Sequence, residues 1–307
     1  MKHFFAFFLL SLALGACSKQ ASTSSDDTDD SSNTELASSI SQIGDAAFGG
    51  NSARVAAEEA ADNIRGACSA LTFGSCTSGK RTKSFSADGG DSDACTRGKS
   101  NAFSVFGQAV LTFSRTSTCL ISATGDTVTR TFNNHYIKRG TGGRSVLIYT
   151  GTGTVGGKTI AAADLNDYSG TERSGGAVLT KGSGASGTLA ITGIHRRGVN
   201  PNGKYGFWHT VYTDSANPLS FSTDLSTGSI TMNGTTYVAH NRAKVKIGTT
   251  LLDVRFEAAC RHPVGGSTKF EYTGTNGALV SLTLTWSATC GQASDGTVTV
   301  DIEDNNS

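Results

Sequence analysis

Proline is scarce in this chain, at 3 in 307 residues. Charged residues make up only 17% and aromatics 8%. Neither sign of charge is in excess, since the formal net charge is +1. That balance argues against a nucleic-acid binder, whose surface carries a basic surplus. No apolar run reaches the roughly 20 residues that a bilayer-crossing helix needs. Glycine is plentiful at 38 residues but shows no third-position period, so a collagen-like chain is excluded. The length suits one large β domain or two smaller ones.

The first residues read MKHFFAFFLLSLALGAC. Lys2 supplies a positive start, residues 4–13 form a short apolar run, and Gly15 and Ala16 close it with small side chains. This is the three-part grammar of a secretory signal over residues 1–16. Leu14-Gly15-Ala16-Cys17 resembles the box of bacterial lipoprotein leaders, in which the Cys becomes the lipidated first residue. The resemblance implies lipidation of Cys17. With Ser18 rather than Asp next, it implies anchoring at the outer membrane, on either its periplasmic or its surface face. Several acyl chains make such an anchor stable, at about 0.8 kcal/mol per buried CH₂. Removing residues 1–16 removes Lys2 and no acid, which leaves 25 basic and 25 acidic residues.

Residues 17–33 hold no aliphatic side chain larger than Ala and gather Asp26, Asp27, Asp29 and Asp30. Such a stretch cannot bury enough apolar surface to offset chain entropy, and it reads as a disordered tether. A calcium loop is the sharper alternative, but the Gly and distal Glu of an EF-hand are missing. Ser32 and Glu35 fit a capping box ahead of Leu36, Ile40, Ile43 and Ala47 at helical spacing. A second helix is expected over 52–65, with Gly66 as its stop. The segment 34–66 is thus expected to form two short helices that pack on the domain behind them.

Residues 67–307 are expected to form a β domain. In 101–114, Phe103, Val105, Ala109, Leu111 and Phe113 share one parity, with Phe106 and Val110 as exceptions. Such alternation describes a half-buried strand. Further strands are expected at 127–133, 145–150, 188–196, 207–213, 229–232, 235–247, 251–259, 268–272, 278–289 and 297–302. Asn233-Gly234 and Asp295-Gly296 read as hairpin turns. The fold class is therefore mainly β: an antiparallel, sandwich-like or barrel-like body of ten or more strands. A membrane-spanning barrel would share the alternation, but the chain ends in acidic and polar residues rather than an aromatic.

Of seven Cys, six remain once Cys17 is assigned to lipid: Cys68, Cys76, Cys95, Cys119, Cys260 and Cys290. An even six in an exported chain reads as three disulfides, with fifteen connectivities open. Spacing favours Cys68–Cys76, Cys95–Cys119 and Cys260–Cys290. Zinc at these Cys is disfavoured, because no C-x₂-C pair occurs.

Few residues suggest chemistry. Gly151-Thr152-Gly153-Thr154-Val155-Gly156-Gly157-Lys158-Thr159 contains G-x-G-x-x-G, yet Thr152 stands where a phosphate loop needs Gly, and the stretch after it is too short for a confident helix. It reads as a glycine-rich hairpin. His195 shares parity with Leu189 and Ile191, and His209 with Phe207 and Val211. If their strands pair as a hairpin, the two imidazoles face each other, and with a carboxylate they are the weak candidates for a metal. The plainer reading is two half-buried histidines satisfied by the chain. Asp164, Asp167, Asp214, Asp224 and Asp253 read as turn residues. No G-x-S-x-G elbow is present. His240, Arg242, Lys244 and Lys246 are expected on one face of a strand, where they could meet anionic groups or simply be solvated.

Val128-Thr129-Arg130-Thr131-Phe132, Ile191–Arg196, the run from Cys260 to Ser267, and Thr289-Cys290-Gly291 resemble uncharacterised β-rich lipoproteins of predatory and related Gram-negative bacteria. The likeness spans roughly residues 68–300 and implies location and fold, not an activity. The resulting expectation is a non-catalytic β domain, lipid-anchored at the outer membrane, that binds an envelope or cell-surface ligand. It implies no cofactor, no metal, no catalytic residue and no nucleic acid. The alternative is an exported hydrolase acting on glycan or peptide, which would need a pocket with convergent His, Asp or Glu.

Overall fold

The computed structural model describes residues 72–86, 103–139, 145–224, 227, 229–257, 263–273, 277–289, 292–296 and 299–301. The expected leader, tether and helical segment (1–16, 17–33 and 34–66) lie outside them. So do Cys17, Cys68, Cys95, Cys260, Cys290 and His262.

The described chain is mainly β. The strands are β1 (Thr72–Phe73), β2 (Lys80–Ser86), β3 (Phe103–Phe113), β4 (Thr127–Arg139), β5 (Ser145–Tyr149), β6 (Gly153–Val155) and β7 (Lys158–Ile160). After a single 3₁₀ turn, Ala162–Leu165, come β8 (Gly176–Lys181), β9 (Ser186–Val199), β10 (Tyr205–Thr213), β11 (Leu219–Asp224) and β12 (Ser229–His240). The chain continues with β13 (Val245–Glu257), β14 (Gly265–Thr273), β15 (Leu279–Trp286), β16 (Gln292–Ser294) and β17 (Thr299–Asp301). Fifteen of these form one antiparallel sheet, and β6 and β7 form a separate hairpin.

The sheet is an up-and-down meander in which two positions are shared. β5 pairs with β9 over Ser145–Tyr149, and β8 pairs with the same strand further along, over Gly176–Lys181. Both also pair with β4. β5 and β8 are therefore two halves of one strand position, interrupted by residues 150–175. β10 and β11 are likewise two halves of the position between β9 and β12, interrupted by residues 214–218. Counted this way, every neighbour in the sheet is a neighbour in sequence.

One core cluster collects Leu111, Phe113, Val128, Leu179, Leu189 and Ile191, among others, with Met232, Leu251 and Val254 beyond them. The run Ser145–Tyr149 is buried on both sides, as a near-continuous apolar run predicts. Val146 and Ile148 pack with Phe207, while Leu147 and Tyr149 pack with Val155, Ile160, Leu165 and Val199.

Several sequence expectations need correction. Asn233-Gly234 is not a turn. It is a register shift inside β12, which runs unbroken from Ser229 to His240. Residues 235–247 are not one strand, because the chain turns at 241–244 and β13 starts at Val245. The basic stripe expected on one strand face therefore does not exist: His240 ends a strand and is buried, and Arg242 and Lys244 lie in the turn. The exception at Phe106 has a cause as well. Phe106 stacks on its register partner Tyr136, which packs with Leu147 and Tyr149, so it is buried on the face opposite Ala109; beside it Gly107 (φ +83) stands opposite an extra β4 residue at a bulge with Asn134 (φ +46). A Cβ on Gly107 would lie 2.0 Å from the Asn134 carbonyl oxygen, so glycine is required there.

Cys76 is bonded to Cys119, with Cα atoms 5.7 Å apart. The spacing-based pairs Cys68–Cys76 and Cys95–Cys119 are thereby overturned. β2 lies beside β3, and the amide of Phe113 at the end of β3 donates to Gly79. That pairing brings the loop carrying Cys119 onto the turn carrying Cys76, so proximity in the sheet outranks proximity in sequence.

Candidate functional site

The break between β5 and β8 releases residues 150–175, which fold back over one face of β5, β9 and β10. The G-x-G-x-x-G stretch forms the β6–β7 hairpin there. Gly156 (φ +54) and Gly157 (φ +75) make its two-residue turn, as a hairpin and not a nucleotide loop. Val155, Ile160 and Leu165 seal the segment onto Leu147, Tyr149 and Val199.

Polar contacts fix it further. Asp164 accepts from Arg197 at 2.8 Å, and the Arg197 guanidinium lies 3.9 Å from the centre of the Trp208 ring. Burial pushes the Asp164 carboxyl pKa up, but the hydrogen bonds from Arg197 and the Ala161 amide outweigh it and hold the group below its ordinary value. Asp167 accepts from the Ser169 and Thr171 amides and from Arg173, which stacks 3.9 Å over Tyr212. Asn241 receives the Tyr168 amide and donates to Thr210.

His195 sits at the centre of this network and is fully buried. Its ring is stacked on Tyr149, with centroids 4.9 Å apart and planes 8° from parallel. Its Nε2 lies 2.6 Å from the Arg173 carbonyl oxygen, which can only accept, so Nε2 carries the proton. Nδ1 then accepts from the Thr210 hydroxyl at 3.0 Å. Burial pushes the pKa of His195 down, and the ring is neutral with both nitrogens used. A general base must reach a substrate proton. This imidazole instead ties the covering segment to the sheet.

The expected His195–His209 encounter does not occur. Across the β9–β10 pairing, Thr210 stands opposite His195, and Arg196 stands opposite His209. One residue of difference in a strand is a change of face. The parity argument failed at an extra residue in β9: the β8–β9 register shifts between Gly193 and Ile191. Leu189 and Ile191 consequently share the core face with Ile194, and His195 turns to the other side.

His209 meets a different histidine. His240 is its register partner on β12, with ring centroids 4.6 Å apart in an edge-on arrangement. Phe207 lies 5.0 Å from the His209 ring. His240 accepts the Ala243 amide through Nδ1 at 3.1 Å. The Nε2 atoms of both rings are buried without a hydrogen-bond partner. Burial, then the neighbouring His240 and Arg196, push the His209 pKa down to about 3. The His240 pKa is lowered too, by burial first. A guanidinium beside paired imidazoles opposes a cation. Among the described residues, no three His, Cys, Asp or Glu side chains gather so as to hold a metal ion.

The remaining candidates are dispersed. Asp214 caps its own turn by accepting from the Ala216 amide, Asp253 bonds Asn233, and Asp224 ends β11. His135 is buried between Phe85 and Phe132 and lies 2.9 Å from the Phe106 carbonyl oxygen. Sequence reasoning missed Arg197, Trp208 and Asn241, which hold the covering segment, and the buried cations Lys83 and Arg130. The available signal was Arg196-Arg197 inside an otherwise inward-facing strand.

Comparison of the chain with protein-family models, with curated proteins and with solved structures found no match.

Proposed function

We propose that this protein is a lipoprotein anchored at the outer membrane through Cys17, with a β domain that binds an envelope or cell-surface ligand and performs no catalysis. The observation that carries the reading is Leu14-Gly15-Ala16-Cys17 at the end of an export signal. The Cys76–Cys119 disulfide supports it, since such bonds persist in oxidising compartments outside the cytosol. His195, the most enclosed histidine, spends both ring nitrogens on the chain itself, which favours binding over catalysis. A barrel-like coiling of the sheet belongs to the same reading. Its support is the single cluster that runs from β3 to β13 with Trp286 of β15 against it.

Metabolic labelling with a fatty acid tests the anchor. Label is expected in the wild-type chain and absent from Cys17→Ser, because no other Cys lies near the signal. Undiminished label in Cys17→Ser overturns the reading.

A further inference from the structure

The meander places the turns of the molecule on two rims. The chain enters β1 at Thr72, opposite Ser84. Ser86 and the start of β3 lie at that same end of the sheet, as do the β4–β5, β9–β10 and β12–β13 turns. Arg242 donates to the Gly206 carbonyl at 2.6 Å, which fastens the 241–244 turn to the base of the 200–204 turn. Lys158 reaches the same place: a Cβ built on Gly203 would lie 3.8 Å from its Nζ.

This rim is basic. Lys138 and Arg139 end β4, Lys158 opens β7, and Lys204, Arg242 and Lys244 lie in or beside the turns. No acidic residue occurs in those described turns and strand ends. The opposite rim is mixed: Lys80, Arg81, Arg115 and Lys181 stand among Asp126, Asp224 and Glu257. Cations therefore outnumber acids in the described turns of the basic rim, and the nearest acids, Asp167 and Glu172, lie in the segment that Asn241 holds.

We propose that the basic rim docks on a bilayer surface rich in anionic phospholipid head groups. Cations spread over four separate turns suit a plane of phosphates better than one enclosed ligand. The direction of the chain points the same way: β1 starts at this rim and runs away from it. An anchor at Cys17, which is the reading proposed above, would hold this rim toward the lipid. Each Lys or Arg near an anionic surface contributes about 1 kcal/mol, screened beyond a Debye length. Tethering makes even a weak contact effective by raising local concentration.

The test uses the full chain carrying Cys17→Ser, which leaves no lipid acceptor, in co-sedimentation with vesicles. The chain is expected to pellet with vesicles containing phosphatidylglycerol and not with pure phosphatidylcholine, and to be released by salt. Lys158→Gln/Lys204→Gln/Lys244→Gln is expected to lower the partition about tenfold or more. Lys204→Glu/Lys244→Glu, confined to exposed turn residues, is expected to do the same without burdening the fold. Lys80→Gln/Lys181→Gln on the opposite rim is expected to bind like wild type. Equal partition into neutral vesicles overturns the proposal. So does an equal loss from the opposite-rim variant, or tighter binding to a short DNA duplex than to vesicles at the same salt. The fatty-acid label reads the anchor separately: a labelled wild type whose Cys17→Ser form ignores anionic vesicles rejects the rim alone, and an unlabelled chain that binds them retains it.

Discussion

His195 and His209 lie one residue apart in register on neighbouring strands, and both are buried and neutral. On the face of His195, β5 supplies a stacking partner in Tyr149, and a 26-residue insertion supplies an acceptor and a lid. On the face of His209, another imidazole and a guanidinium supply only proximity. Equal burial therefore hides opposite accounts. One ring has both nitrogens satisfied, and the other leaves Nε2 without a partner. A buried histidine is informative only once its two nitrogens are followed to their partners.

The largest effect expected from this contrast is at His195. His195→Ala removes the stacking on Tyr149 and strands both the Arg173 carbonyl and the Thr210 hydroxyl. A loss of about 3 kcal/mol is expected from urea unfolding. His209→Phe should cost under about 1 kcal/mol at pH 7, since an apolar ring replaces a poorly satisfied one. Similar losses in the two variants would erase the distinction.

Acid sharpens it. His209 titrates near 6.5 when unfolded and at about 3 when folded. Between those values the unfolded chain binds more protons, so stability falls as pH drops from 6.5 toward 3. From pH 7 to pH 5 this one group should remove about 2 kcal/mol. Unfolding curves at the two pH values should show that loss in wild type, and His209→Phe should lack that share of it. An unchanged pH dependence in the variant would contradict the assignment.

The most local effect is at Asn241, which joins the Tyr168 amide to the Thr210 hydroxyl. Asn241→Ala should cost about 1 kcal/mol. Amide exchange at Tyr168 should quicken while exchange in β12 and β13 stays slow. If the strands exchange faster as well, Asn241 supports the sheet and not the covering segment alone.

The β-rich body and most of its strands were legible, because a half-buried strand writes its pleat into the sequence. What could not be read were the bulges. At Asn134 in β4 and beside Gly193 in β9, one extra residue changes the face of everything beyond it in that strand, and hydrophobicity carries no mark of this. Asn233-Gly234 has hairpin chemistry but serves a bulge, whereas the real turn, at Asn241-Arg242-Ala243-Lys244, holds no glycine. The network around His195 was illegible for a related reason. Its partners come from two neighbouring strands and from Arg173, in a segment that leaves the sheet and returns 26 residues later, so no local spacing encodes the contacts.

The two interrupted strand positions give the sheet an unusual kind of editability. β10 and β11 are aligned by β9 and β12, not by the exposed residues 214–217 between them. Length added at that break need not be absorbed by any neighbouring pairing, because the register on either side is set elsewhere. The 150–175 segment is what such a break looks like when it has been filled, with a hairpin and a lid of its own. A foreign peptide spliced into 214–217 should accordingly be displayed on an intact sheet, and a deletion there should close the break into one continuous strand.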